Sequence, residues 1–171
     1  MEQTLYYEMI KTEVGPLTIL ATSKEIIRID FGSLIEVKEK AGAWFDRYLG
    51  RVIFVEKNEW TGLAVDQLNQ YFSRELKDFS LPYKLYGTPF QKQVWRCIVS
   101  KVFYGEKFTY KEVGQEIDHE KAVRAIGGAL NKNPISIIVP CHRVIGSSGK
   151  LVGYGGGLDR KSYLLNLEYP S

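Results

Sequence analysis

The residues best suited to chemistry lie in one run, Cys141-His142-Arg143, which directly follows an apolar stretch that ends at Pro140. The thiolate is the reactive form of cysteine, and neighbouring cationic groups lower the pKa of a thiol toward neutrality. This order of residue types therefore predicts a nucleophilic cysteine. The alternative is an inert core cysteine on a buried strand, which is what most unpaired cysteines are.

Local geometry limits how Cys141 and His142 can cooperate. Successive side chains of an extended segment point to opposite faces, so these two side chains cannot touch on a strand. Pro140 fixes its own φ and biases Val139 toward an extended conformation. We therefore expect a strand that ends at Cys141, with His142 acting through a water molecule or after a local bend.

The remaining cysteine and histidine residues favour neither a disulfide framework nor a metal site. Cys97 lies in a helical pattern and is predicted to be core, and His119 is the only histidine besides His142. Two cysteines fit a reducing compartment better than a secreted one. With no Cys-x-x-Cys or His-Glu-x-x-His spacing, we expect no metal.

The composition of the 171 residues allows one domain or two small ones. No apolar run approaches the ~20 residues of a membrane span, and the N-terminus lacks the features of a secretory signal, so we expect a cytoplasmic protein with no membrane contact. Residues 1–85 carry 11 Lys and Arg against 13 Asp and Glu, a net −2, whereas residues 86–171 carry 12 against 7, a net +5. This asymmetry indicates a polyanionic partner for the second half, although a solvated lysine-rich face is also common.

The first half reads as a β-meander followed by a helix. Alternation predicts strands at Tyr6 to Ile10, Leu17 to Ala21 and Ile26 to Phe31, and helical spacing predicts a helix from about Thr61 to Leu76. The stretch Asp78 to Tyr86 has no clear period and is the predicted linker. The predicted domains are therefore 1–85 and 86–171.

The second half contains two capping boxes and a helical pair. Thr88, followed by Pro89 and then by Gln91, is predicted to be the N-cap of a helix. Thr109, followed by Glu112, is predicted to cap a shorter helix in the same way. A turn at 118–120 then leads into a second helix, Lys121 to Asn131. The pair resembles a helix-turn-helix, with an ordinary αα-hairpin as the alternative.

The second helix has one apolar and one thin, basic face. Val123, Ile126 and Leu130 form the apolar stripe, and the opposite face carries Lys121, Arg124, Gly128, Asn131 and Lys132. Each helical glycine costs up to about 1 kcal/mol relative to alanine, so a helix that keeps Gly127-Gly128 is approached closely by a partner. Another helix is one candidate, and a nucleic-acid backbone is the better one. The fold class is α+β, with a small strand-rich domain followed by a helical, winged-helix-like domain that contains the helix-turn-helix.

Four segments occur in an order that carries a specific resemblance: Asn133-Pro134, Ile138 to Val144, Gly153 to Leu158, and Lys161 to Glu168. From about residue 87 onward the chain resembles the O(6)-alkylguanine-DNA alkyltransferases, also called methylated-DNA:protein-cysteine methyltransferases. The first 85 residues resemble the variable N-terminal domain of that family only in size and in their strand-rich start.

The resemblance implies repair of double-stranded DNA that contains alkylated guanine, by a monomer that needs no cofactor. The damaged base is flipped out of the duplex. Its alkyl group passes irreversibly to Cys141, in a single turnover, and O(4)-alkylthymine is a second candidate substrate. The implied catalytic residues are Cys141, His142, Glu168, Asn133 and Tyr110.

Further residues are implied by position. Those for DNA binding are Lys121, Arg124, Ala125, Gly127, Gly128, Ala129 and Asn131, with Arg124 filling the space of the extruded base. Those for the substrate pocket are Tyr110, Val144, Ser147, Ser148, Gly149, Tyr154, Gly155 and Gly156. Many relatives carry serine where this chain has Gly155, so that hydroxyl is missing here. Two rivals stay open: a cysteine hydrolase with a Cys-His-Glu triad, and a non-catalytic DNA-binding regulator.

Overall fold

The computed structural model describes residues 2–169 and divides between Tyr86 and Gly87 into two compact units. The first unit holds a four-stranded sheet and three helices, and the second holds four α-helices, one 3-10 helix and a two-stranded sheet among the residues described. This is the expected α+β class. Each helix described within residues 2–169 is too short or too polar to span a lipid bilayer.

The sheet of the first unit has the strand order β3-β2-β1-β4. Its elements are β1 (Glu2–Thr12), β2 (Gly15–Ala21), β3 (Ile26–Phe31), α1 (Leu34–Lys40), α2 (Gly42–Tyr48), β4 (Arg51–Glu56) and α3 (Glu59–Phe72). The first three strands form the predicted antiparallel meander, and β4 adds to β1 in parallel. Neither β4 nor the two short helices before it was predicted, because their apolar residues follow no single period.

The structure differs from two predictions in the first unit, the bounds of a helix and the nature of the expected linker. Helix α3 begins after the N-cap Asn58 and ends at Phe72, because Arg74 takes a left-handed conformation with φ 63°. The expected linker is attached to the sheet: Tyr83 forms a β-bridge with Ile26, whose amide donates to the Pro82 carbonyl at 2.9 Å. Residues 78–86 therefore include backbone that pairs with β3.

The second unit is built around a long helix and the helical pair. Its elements are α4 (Pro89–Lys101), β5 (Phe108–Thr109), α5 (Tyr110–Glu116), α6 (Val123–Asn131), a 3-10 helix (Cys141–Arg143), β6 (Val144–Ile145) and α7 (Leu158–Glu168). Both predicted capping boxes form, at Thr88 and at Thr109. The Trp95 indole donates to the Ala129 carbonyl at 2.8 Å and ties α4 to α6.

The turn between α5 and α6 is tight. A Cβ on Gly114 would lie 2.9 Å from the His119 carbonyl, so only glycine allows the chain to close here. Helix α6 begins two residues later than predicted, which places Lys121 in the turn. Val123, expected in the apolar stripe, is 43% exposed at the first turn of the helix, while Ile126 and Leu130 are buried as predicted.

The strand expected before Cys141 is absent from this part of the structure. The chain makes a turn instead, with Ile137 at φ 74° and an isolated bridge between Ser136 and Val139. Asn133 holds the turn: its Oδ1 accepts from the Ile135 amide at 2.9 Å and its Nδ2 donates to the Val139 carbonyl at 2.8 Å. Side-chain bonds to the backbone replaced the strand pairing that the apolar run suggested.

Candidate active site

Cys141 starts the 3-10 helix and is only 3% exposed. Burial raises the pKa of its thiol, because a thiolate loses solvation in the interior, while a hydrogen bond from the Asn133 side chain and the charge of Lys161 act in the opposite direction. The thiolate therefore needs a local proton acceptor. In a 3-10 helix successive side chains do not alternate between two opposite faces as they do on a strand. The helix at Cys141–Arg143 therefore provides a local bend of the kind expected at His142.

Glu168 joins the two residues that follow the cysteine. Its carboxylate lies 2.6 Å from His142 Nε2 and accepts from Arg143 Nε at 2.7 Å and from Arg143 Nη2 at 3.1 Å. Burial alone would raise the pKa of this carboxyl, but His142 and Arg143 together lower it to about 2. The group is therefore ionised at neutral pH. Arg143 also donates to the Val102 carbonyl at 2.9 Å.

His142 is completely buried, which favours the neutral form of its imidazole. Burial lowers the pKa of its imidazole, which outweighs the opposing effect of Glu168. Because the ionised carboxylate accepts from Nε2, the ring proton lies on Nε2 and the Nδ1 lone pair is free. Within residues 2–169, Nδ1 has no hydrogen-bond partner. The arrangement supplies a base whose tautomer is fixed by a carboxylate.

Lys161 is a further residue of the site that sequence reasoning missed. It is 1% exposed, and its Nζ donates to the carbonyls of Val152 at 3.3 Å and Gly153 at 3.0 Å. Burial lowers its pKa to about 8, partly offset by Cys141. Helical spacing could have indicated that Lys161 is buried, because it lies three and four residues before the buried Leu164 and Leu165.

The residues 146–157 form a loop that we call the active-site loop. The Tyr110 hydroxyl donates to the Val152 carbonyl of this loop, and burial raises the pKa of that hydroxyl, with a smaller contribution from Cys141. The ring of Tyr154, another loop residue, stands edge-on to the His142 ring at a centroid distance of 6.5 Å. Burial also raises the pKa of Tyr154.

A groove of about 1090 Å³ opens between the helical pair and the active-site loop. It is lined by Tyr110, Lys111, Glu120, Lys121, Val123, Arg124, Gly127, Gly128, Asn131, Gly146, Ser147, Val152 and Gly153. Cys141 does not line it. Arg124 and Lys121 make no ion pair with another residue of the 2–169 range. A groove with free cations and helical glycines can accept a polyanion.

Not every residue predicted to contact DNA or substrate lines this groove. Ala129 is 3% exposed and faces the core of the second unit, because it lies on the same side of α6 as Ile126 and Leu130. Val144 is fully buried in β6. The others outside the groove are Ala125, Ser148, Gly149, Tyr154, Gly155 and Gly156. Among residues 2–169 no group of three or more His, Cys, Asp or Glu could hold a metal ion.

The fold and the site define an α+β protein that carries a buried Cys-His-Glu cluster in its helix-turn-helix unit. Two family models match the chain: the ribonuclease-like domain of 6-O-methylguanine DNA methyltransferase over residues 5–85, and its DNA binding domain over residues 89–169. The methylated-DNA--protein-cysteine methyltransferase of Methanosarcina barkeri is 41% identical over 164 residues, 96% of this chain and 97% of the relative. The protein of the same name from Mycobacterium bovis is 39% identical over 170 residues, 96% of this chain and 92% of the relative.

Comparison with solved structures gives the same family. The crystal structure of Mycobacterium tuberculosis OGT in complex with DNA superposes with a TM-score of 0.81 at 39% identity, covering 95% of this chain and 92% of that chain. The O6-methylguanine-DNA methyltransferase of Pyrococcus kodakaraensis, at 24% identity and a TM-score of 0.66, shares the fold. The chain belongs to the 6-O-methylguanine DNA methyltransferase family, as the sequence resemblance implied.

Proposed function

We propose that this protein repairs DNA by transferring the alkyl group of O(6)-alkylguanine to Cys141, irreversibly and once per polypeptide. One observation carries the proposal: the buried thiol lies in the same unit as a carboxylate-oriented imidazole and a groove with free cations on a helix-turn-helix. The family membership and the names of the relatives support the same reaction.

The chemistry follows from the protonation states of the cluster. His142 Nδ1 takes the thiol proton, through a water molecule, and Glu168 stabilises the imidazolium that forms. The sulfur of Cys141 then attacks the alkyl carbon, so that an S–C bond forms while the C–O bond to guanine breaks. Guanine leaves with the bonding electrons and takes a proton from a nearby donor.

Guanine is a poor leaving group unless its developing negative charge is stabilised. Tyr110 is the proposed donor, because it lines the groove and has an electrostatic interaction with Cys141. The positive charge of Lys161 lowers the pKa of the Cys141 thiol against the larger effect of burial, so it favours the thiolate. Asn133 has two roles: it holds the turn before Cys141, and its side chain hydrogen-bonds the Cys141 thiol.

The groove is the proposed DNA-binding surface. Flipping a base costs a few kcal/mol, less for a damaged pair, and a side chain that fills the vacated space lowers that cost. Arg124 is long, cationic and exposed in the groove, so we assign it this role. Lys121 and Lys111 contact phosphates in this arrangement, while Gly127 and Gly128, which line the groove, let the backbone of DNA come close.

The active-site loop is the proposed wall of the base pocket, with Tyr154 beside the lesion. Gly155 offers no hydroxyl, so only backbone groups can bond the base at that position. A cytoplasmic location fits the same proposal, because its substrate is cellular DNA and its thiol must stay reduced.

The test is incubation with a duplex that contains one O(6)-methylguanine. Intact-protein mass spectrometry should find one added methyl group per chain at any excess of DNA, and peptide mapping should place it on Cys141. Cys141→Ala should still bind the duplex yet accept nothing. Methyl on Cys97, repeated turnover, or transfer by the alanine variant would each contradict the proposal, and repeated turnover would indicate a hydrolase.

A further inference from the structure

Residues of the active-site loop line the groove, whereas the thiol of Cys141 does not reach it. Cys141 is 3% exposed and does not line the groove, whereas Val152 and Gly153 of the loop do. Tyr154 carries a buried hydroxyl and stands beside His142. A base that enters the groove therefore meets the loop before it meets the sulfur.

Two side chains from outside the loop hold its middle. The Val152 carbonyl accepts from both the Tyr110 hydroxyl and Lys161 Nζ, and the Gly153 carbonyl accepts a second bond from Lys161. Gly153 has φ 60°, a left-handed conformation that glycine adopts readily, and the Val152 and Gly153 carbonyls both accept from Lys161 Nζ. We call these three hydrogen bonds the loop clamp.

A buried lysine is energetically unfavourable at a position whose role is only to fill the core. The Lys161 ammonium is buried, and no carboxylate in the 2–169 range lies within salt-bridge distance of it. A buried charge without an ion pair costs more than an apolar side chain of similar length would. Within the described residues the hydrogen bonds of Lys161 go to carbonyls of the loop, so holding the loop is a second role beside the charge that favours the Cys141 thiolate.

While the clamp is closed, Tyr110 cannot act as the proposed hydrogen-bond donor to guanine. A phenol has one O–H and donates it to one acceptor at a time. In the DNA-free protein that acceptor is the Val152 carbonyl. If Tyr110 donates to the leaving guanine, it must first release Val152, so opening of the clamp and activation of the leaving group use the same proton.

We propose that Lys161 is a positioning residue that, with Tyr110, clamps the active-site loop over Cys141 until a base in the groove takes over the Tyr110 hydrogen bond. The closed state rests on the DNA-free geometry alone, and its release by a lesion rests on the proposed function. The clamp shields the thiol from small electrophiles and couples its exposure to occupation of the groove.

Hydrogen exchange of the DNA-free protein tests the closed state. Lys161→Met and Tyr110→Phe should each speed exchange in peptides from the active-site loop by about tenfold, since each removes bonds that close the loop. Lys161→Arg should restore slow exchange. The matched controls are Lys150→Met, an exposed lysine of the same loop, and Tyr163→Phe, a tyrosine of α7. Slow exchange in α4 peptides establishes that the fold is kept.

Thiol labelling provides the second readout. Tyr110→Phe changes no charge, so iodoacetamide should modify Cys141 about tenfold faster than in the parent, with Cys97 in the same molecule as the reference. Unchanged loop exchange in both variants, or an unchanged Cys141 to Cys97 labelling ratio, overturns the clamp. Both readouts omit DNA, so a parent protein that accepts no alkyl group would refute the proposed function and leave the clamp standing.

Discussion

At the scale of single residues, Glu168 is the group on which the site depends. One carboxylate fixes the His142 tautomer and neutralises the buried Arg143 guanidinium, which in turn holds the Val102 carbonyl. Removing it leaves a buried cation and an imidazole N–H without their acceptor. The residue is therefore a stabilising element of the fold, and in the proposed mechanism it also supports catalysis.

Glu168→Gln should lower the free energy of unfolding at pH 7 by about 3 kcal/mol, the usual cost of breaking a buried ion pair. The folded pKa of about 2 lies below the ordinary 4.5, so the stabilisation is fully present above pH 4.5 and is lost as the pH falls toward 2. Urea unfolding across pH should show a flatter acid limb for the variant than for the parent. Glu106→Gln, which changes an exposed glutamate, is the control, and an unchanged acid limb in Glu168→Gln would refute the assignment.

At the scale of elements, α6 gives up helix stability on its exposed face. A Cβ at Gly128 would meet no atom within 4 Å, so nothing inside the protein requires glycine there. Gly114, by contrast, is required by the closure of the turn. We therefore propose that the glycine at 128 allows close approach by a partner outside the chain.

Gly128→Ala should raise the free energy of unfolding by up to about 1 kcal/mol through helix propensity. The same change should weaken binding to duplex DNA, because the added methyl keeps the backbone away. Gly62→Ala in α3 is a matched control, since a Cβ there also meets nothing within 4 Å. Equal DNA affinity for both alanine variants, measured by fluorescence anisotropy, would argue against close approach at α6.

At the scale of the whole molecule, charge is divided unequally along the chain. Residues 86–171 carry a net charge of +5 and residues 1–85 a net charge of −2. The groove concentrates three of the cations, Lys111, Lys121 and Arg124. If DNA binds through these three cations, as proposed, binding releases counterions and the affinity depends on salt.

The logarithm of DNA affinity should fall linearly with the logarithm of salt concentration. Each of Lys111→Ala, Lys121→Ala and Arg124→Ala should lower that slope by about 0.9, the contribution of one phosphate contact. Lys24→Ala, in the first unit, should leave the slope unchanged. A slope that does not respond to the groove variants would place the DNA elsewhere.

Local features of the sequence determined much of this protein. The capping boxes at Thr88 and Thr109, the strand Ile26–Phe31 and the helical pair depend on near neighbours, so their residue types were enough to predict them. The order of motifs around Cys141 was enough to predict the family. The strand expected before Cys141 was wrong because an apolar run does not specify its own backbone pairing.

Tertiary structure alone decided which side chains meet. Arg143 and Glu168 are separated by 25 residues and Tyr110 and Val152 by 42, so their contacts depend on how the elements pack. The partners of Lys161 and the core position of Ala129 were fixed in the same way. Periodicity identifies the buried face of a helix, whereas the atoms opposite that face come from other parts of the chain.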